Sequence, residues 1–248
     1  MQHETMGDLP GHVFPGLALL AWALVWCLAV ARRGGPAVLQ PWSVAPDTTL
    51  AADAAAAAPW ESWAKIVVPL LEMTGELRWV TWPMTEASAT IYAHILMDVA
   101  FILSGVTDLL TARRRIAPHS DRIALALAFL VAGLLFGAHG QHGAVANAAH
   151  GAFAMLLTAA GVLIVVEHAR PAPLIRWLRV YAVALAGAWF IHTGWMLYVA
   201  GYDREGAALV PRAYLALAVY AVALAVALLV ALTLARGRRG APPSADAW

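Results

Sequence analysis

The stretch IALALAFLVAGLLFGAHGQHGAVANAAHGAFAMLLTAAGVLIVV, residues 123–166, decides the fold. A single helix of this length would run about twice the roughly 30 Å hydrocarbon core of a bilayer. Gly137, Gly140 and Gly143 cluster at its midpoint, where a tight turn divides it into two antiparallel spans.

The rest of the chain follows the same pattern. Of 248 residues, 62% (about 154) are apolar and only 12% are charged, with a mean hydropathy of +0.70. A soluble domain keeps roughly a quarter of its residues charged, so this composition excludes one, along with a disordered tail protein and a disulfide scaffold. Seven spans of about 20 residues would consume about 140 residues. The hydrophobic runs fall at 13–31, 62–80, 89–112, 122–138, 144–167, 174–198 and 212–235. This reads as an all-α, polytopic, seven-transmembrane-helix bundle. The second run carries Lys65, Glu72, Glu76 and Arg78. As a span it must turn these groups to the bundle interior; the alternative is an amphipathic helix on the surface.

Basic residues orient the bundle. Arg32 and Arg33 follow the first run, Arg113, Arg114, Arg115 and Arg122 lie between the third and fourth, and Arg170, Arg176 and Arg179 between the fifth and sixth. Arg236, Arg238 and Arg239 follow the seventh. With Lys65, 13 of the 16 basic residues fall on one side, leaving Arg78, Arg204 and Arg212 on the other. The positive-inside rule then puts the amino terminus outside and the carboxyl terminus in the cytoplasm. The first run has no basic stretch before it and no small-residue cleavage site after it, so it reads as an uncleaved span.

This gives a short outer segment at 1–12, a transmembrane domain at 13–235 with a cytoplasmic loop at 34–60, and a disordered tail at 236–248. A net charge of +1 and the lack of a basic stripe exclude nucleic acid as a partner. The single Cys27 has no internal disulfide partner. Fifteen Arg against one Lys, with abundant Ala, suggests a GC-rich bacterial genome and thus a bacterial cytoplasmic membrane as the location.

The histidines carry the functional signal. Of nine, His119 and His168 fall at cytoplasmic loops and His3 in the amino-terminal segment. The other six map to the outer side: His12 opens the first span, His94 is near the start of the third, and His139 and His142 occupy the outer turn. His150 is two turns into the fifth span and His192 near the outer end of the sixth. Asp98, four residues after His94, shares its helix face, as Glu76 does with Glu72. An ionised Asp at a helix centre costs roughly 2.5–3.5 kcal/mol, so Asp98 is expected to have a partner.

Imidazole is the commonest ligand for zinc, copper and iron, and mixed His/carboxylate shells inside helix bundles hold such metals. The layer is therefore a candidate metal site with ligands His94, His142, His150, His192, His139 and His12. Asp98 and Glu72 would complete the shell or act as general base. Zinc is the first candidate, copper or iron next, with haem b or a proton relay as other uses of the same residues. Met73, Met97 and Met196 would favour copper if turned inward, although Met in an apolar helix commonly serves packing. The competing structural reading is that such polar groups hydrogen-bond across helices, for roughly 0.6–2 kcal/mol each, and hold packing alone. Trp79, Trp82, Trp189 and Trp195 are placed in an aromatic belt, and Asp108 in an ion pair near the Arg113 cluster.

Several short pieces, in order, resemble the transmembrane protein 45 family of seven-span proteins. They are Gly11-His12 with Pro15-Gly16, His94 followed by Gly105-Val106 and Asp108, and His142 and His150 eight apart. Gly187-Ala188-Trp189 with Gly194 and Leu197-Tyr198 completes the set, which spans about residues 11–200. Two departures stand out. Ala93-His94 occupies the place of a frequent His-His pair, and Ala144-Val145-Ala146-Asn147-Ala148-Ala149 lacks the family's acidic residue. The resemblance implies the seven-span fold and the histidine positions. Its animal members are associated with trafficking, epidermal differentiation and defence, so it also implies a structural or trafficking role.

The residues themselves point to a metal-dependent membrane enzyme, a zinc hydrolase or a copper or iron redox enzyme, acting on a lipid-like substrate that enters from the bilayer. Other expectations are a metal, proton or haem carrier without turnover and a structural membrane partner.

Overall fold

A computed structural model describes residues 9–33, 60–138, 143–170 and 172–237. The expected loop at 34–60, apart from Trp60, most of the tail, His3, His139 and His142 lie outside the described residues. Among the described residues the chain is all-helical, with no strand.

The described residues form seven α-helices in order: α1 Leu9–Arg33, α2 Trp60–Glu76, α3 Glu86–Ala112, α4 Ser120–Ala138, α5 Ala144–Ala169, α6 Pro173–Gly194 and α7 Val210–Gly237. Short turns Leu77–Trp79 and Tyr202–Leu209 join α2 to α3 and α6 to α7, and the end of α6 widens into a π-type turn at Trp195–Val199. All but α2 contain stretches long and apolar enough to cross a membrane, the make-up of an integral membrane protein. At 17 residues, α2 is the short one.

The helix boundaries have local causes. The long apolar stretch breaks where its glycines predict: α4 ends at Ala138, and α5 begins after Gly143, whose φ of 110° suits glycine. Thr85 and Ser88 form a reciprocal capping box that starts α3. The first helix begins at Leu9, earlier than the expected 13, because Pro10 is tolerated in a first turn. His12 therefore lies within α1 rather than in an outer segment.

Neighbouring helices alternate in direction, so the bundle has two chemically different ends. His12, Glu76, His94, His150 and His192 lie toward one, the histidine end. Glu61, Asp108, Asp121, Glu167 and Arg176 lie toward the other, the basic end. Close approach is set by glycines: a Cβ on Gly16 would come within 2.9 Å of the Gly187 carbonyl, and one on Gly187 within 2.7 Å of the Gly16 carbonyl. This locks α1 against α6. Gly105 does the same for α3 and α2, where a Cβ would meet the Ser62 carbonyl at 2.6 Å.

The core centres on Phe129, Val145, Leu157, Val183, Trp189 and Met196. Trp189 is a correction to the expected belt, being buried with its indole N–H donating to the Ala149 carbonyl at 2.9 Å. Trp79, Trp82 and Trp195 remain exposed. Met97 and Met196 are buried in the apolar core. The most apolar candidate span, Gly206–Ala231, is also the least buried, as befits a helix facing lipid.

Candidate functional site

The histidine end holds imidazoles in three separate arrangements. His12 of α1 and His150 of α5 face one another with their Nε2 atoms 3.4 Å apart. Both are deeply buried, at 7% and 4% exposure, so His12 does not face external water. His150 Nδ1 lies 2.8 Å from the Ala146 carbonyl one turn back. A carbonyl only accepts, so Nδ1 carries the hydrogen and Nε2 is left with its lone pair toward His12. Phe190 and Tyr198 stand 4.6 Å and 5.2 Å from the His12 ring, and Gly194 leaves room for it: a Cβ there would be 2.6 Å from His12 Cβ.

The second arrangement joins α2 and α3. His94 Nδ1 lies 3.1 Å from Glu76 Oε1, with both side chains about a quarter exposed. One turn deeper, Glu72 of α2 and Asp98 of α3 are electrostatic neighbours. The neighbour that the fold gives Asp98 is therefore Glu72. Glu76 is the residue that sequence reasoning left out of the site. Its signal was present, since it shares the face of Glu72 at a spacing of four.

The third arrangement is His192 with Tyr220 of α7, whose hydroxyl lies 3.3 Å from Nδ1; the His192 ring also stacks on Trp195 at 5.4 Å. Phe136 stands between the first two groups, 6.1 Å from both the His94 and the His150 rings. Among the described residues no three His, Cys, Asp or Glu come together as a group able to hold a metal ion. The expected layer is thus divided into pairs, and the turn bearing His139 and His142 lies outside the described residues.

The basic end is different in kind. Lys65 lies 2.7 Å from Asp108 Oδ2 and 3.6 Å from Glu61. Both Trp22 and Trp26 donate their indole N–H groups to Glu61 Oε1, at 2.8 Å and 3.2 Å. Glu167 of α5 receives Arg179 at 2.8 Å and Arg176 at 3.4 Å from α6. The Arg179 guanidinium lies 3.9 Å over the Trp26 ring. Asp108 thus pairs with Lys65 across the α2–α3 interface rather than with the Arg113 cluster. The arginines of that cluster are exposed, whereas the buried Lys65 ammonium lies against one oxygen of the carboxylate.

Residues 118–213 match the model of a family described as "Family of unknown function (DUF716)", which includes the transmembrane protein 45 proteins. The match runs from the loop before α4 into the start of α7 and covers less than half of the chain. It takes in His139, His142, His150 and His192 and leaves out His12, Glu72, His94 and Asp98. A search of curated proteins finds no match. Over residues 118–213 the chain is therefore similar to this family.

Proposed function

We propose that the protein binds a divalent metal at the outer end of a seven-span bundle, zinc first and copper or iron next. His12 and His150 are the two core ligands, and His142 and His139, which precede α5 in sequence, are the candidates to join them. The observation that carries this reading is the 3.4 Å separation of the two Nε2 atoms. Two nitrogens each about 2.0–2.1 Å from a tetrahedral zinc stand about 3.4 Å apart. The hydrogen bond from His150 Nδ1 to the Ala146 carbonyl is the second contact that ligating imidazoles make. The rings of Phe190 and Tyr198 against His12 favour a bare ion over a haem macrocycle.

Zinc held in this way would supply a bound water acidic enough to ionise near neutral pH, suited to hydrolysis of an ester or amide. Asp98 and Glu72, beyond Phe136, serve as proton-handling groups, and His94 and His192 keep the partners described above. A lipid-like substrate is supported by a groove of about 480 Å³ between α4 and α5, lined by Gly137, Gly151, Ala154, Met155, Thr158 and Val162. Its lining residues belong to two candidate spans and include Gly151, the residue after His150 in sequence.

The seven-span reading gains support from α2, which runs antiparallel to α3 with Glu76 against His94 at one end and Lys65 against Asp108 at the other. The 13 basic residues of 16 on one side favour that side as cytoplasmic. Composition remains the ground for a bacterial cytoplasmic membrane.

Elemental analysis of detergent-purified protein tests the site. Stoichiometric metal that falls away in His12→Ala and His150→Ala, and stays in His192→Ala, is the expected result. Metal-free protein, or metal retained in the His150→Ala variant, would overturn the assignment.

A further inference from the structure

Buried oxygens that lack hydrogen-bond partners are not scattered at random through the helices. Among the described residues they belong to Glu72, Ser104, Asp108, Thr111, Asp121 and Thr193. All but Thr193 fall on the seam between α2 and α3 or at its exit beside α4. Native proteins leave few such atoms, and each calls for a water, an ion or a function.

The seam is a ladder of proton-exchanging groups. At the histidine end stands the partly exposed pair His94 and Glu76. Next come Glu72 and Asp98, with Glu72 Oε1 buried and unpartnered. Near the basic end stands Asp108, which accepts from Lys65 at 2.7 Å and from Ser62 at 3.4 Å while its Oδ1 has no partner. Beyond it lie Thr111 and the α4 residue Asp121, which is 1% exposed with neither carboxylate oxygen hydrogen-bonded. From His94 to Asp108 the ladder covers about 21 Å of helix, most of a bilayer's hydrocarbon thickness.

The widest step, from Asp98 to Asp108, is bridged in part. Ser104 lies one turn from Asp108 on the same face, fully buried with its hydroxyl unpartnered. On α2, Ser62, Lys65 and Ile66 face the neighbouring Gly105, and one turn further along stands the buried Pro69. Proline has no N–H to give to the carbonyl four residues back, which here is that of Lys65. A hydroxyl and a freed carbonyl thus fall in the one stretch of the seam without a carboxyl.

We propose that the α2–α3 seam is a transmembrane proton path. The ionisable groups inside a membrane that mark proton relays face the bundle interior and pair with one another, as His94 does with Glu76 and Lys65 with Asp108. Each hop breaks one O–H or N–H bond and forms another, either on the next side chain or on a water between them. No electrons move, and the proton electrochemical gradient is the only driving force. Protonation of Asp108 releases Lys65, which makes that ion pair the gate nearest the basic end. This inference does not depend on the metal at His12 and His150, but it requires α2 to cross the bilayer beside α3.

The test is proton flux through the full-length protein in phosphatidylcholine–phosphatidylglycerol vesicles that hold a pH-sensitive dye, driven by a potassium diffusion potential. Wild-type protein should change the internal pH faster than protein-free vesicles. Asp98→Asn and Ser104→Ala should each slow it by about tenfold or more, in line with losing a proton-transfer group. Ser104→Ala removes only an unpartnered hydroxyl, so it decides the matter if Asp98→Asn fails to fold. His150→Ala should empty the metal site and leave the flux intact, which separates failure of one reading from failure of the other. Flux equal to that of protein-free vesicles, or a wild-type rate in Ser104→Ala, would overturn the proposal.

Discussion

The two ends of the bundle bury polar groups on opposite terms. At the basic end each paired charge meets a group of opposite sign: Lys65 lies between Asp108 and Glu61, and Glu167 lies against Arg179 and Arg176. At the histidine end, two buried imidazoles face each other through the same kind of atom, Nε2 to Nε2 at 3.4 Å. Opposite charges at ion-pair distance offset their own desolvation and brace helices. Two facing imidazoles brace less than an ion pair, and the lone pair of His150 Nε2 suits an electrophile. The difference separates a region built for assembly from one built to bind.

Removing one partner of a buried pair is the largest expected effect. Lys65→Met or Glu167→Ala should destabilise the protein by about 3–5 kcal/mol, because an uncompensated charge is left behind. His150→Ala should cost clearly less, read as midpoints of chemical unfolding in one detergent. If His150→Ala costs as much as Lys65→Met, the histidine end is scaffold too, and the contrast fails.

A second test concerns the helix contacts that hold the ends in place. Gly187→Ala pushes a methyl to within 2.7 Å of the Gly16 carbonyl, with backbone atoms on both sides. Overpacking of this kind costs about 1–3 kcal/mol. Because α1 carries His12 and α6 carries Phe190 and Gly194 beside it, the variant should also weaken metal retention. Lower stability with full metal content would show that the pair tolerates movement of α1.

The groove glycines make a smaller prediction of opposite sign. A Cβ on Gly151 meets nothing within 4 Å, so neither packing nor backbone conformation requires glycine there. Gly151→Ala should raise stability by about 0.8–1 kcal/mol through helix propensity alone. A bulkier Gly151→Leu should fill the groove and reduce lipid turnover or lipid co-purification while leaving metal bound. Unchanged lipid association would remove the groove from the functional reading.

The legibility of the sequence follows the same division. The break at Gly137–Gly143 and the helical class were readable, because glycine punctuation and hydropathy act locally, whereas burial of Lys65 was one of two readings of its run. Asp98 was expected to need a partner, and its spacing from His94 placed both on one helix face. Pairing between helices was not readable, since it depends on rotation about each axis. A layer of imidazoles at equal depth separates into His12 with His150, His94 with Glu76 and His192 with Tyr220 once the rotations are fixed. Asp108 was assigned to the nearest arginines in sequence, yet the fold brings Lys65 to it from 43 residues away.

The smallest expected effect lies at the surface of the basic end, where His119 precedes α4 with a φ of 68°. Its ring stands 4.9 Å from that of His168. Burial, Arg122 and His168 lower its pKa below the usual 6.5, with Asp121 opposing them. The unfolded chain then takes up a proton at a higher pH than the folded one. Stability on this account rises with pH between the lowered value and about 6.5, and is lost as pH falls through that window. His119→Asn removes the titration while keeping a residue that tolerates a left-handed backbone. The unfolding midpoint of wild-type protein should therefore drop more steeply than that of His119→Asn between about pH 7 and about pH 5.5. Equal slopes would mean that the neighbouring arginine and histidine are screened by water. The basic end would then owe its stability to its buried pairs alone.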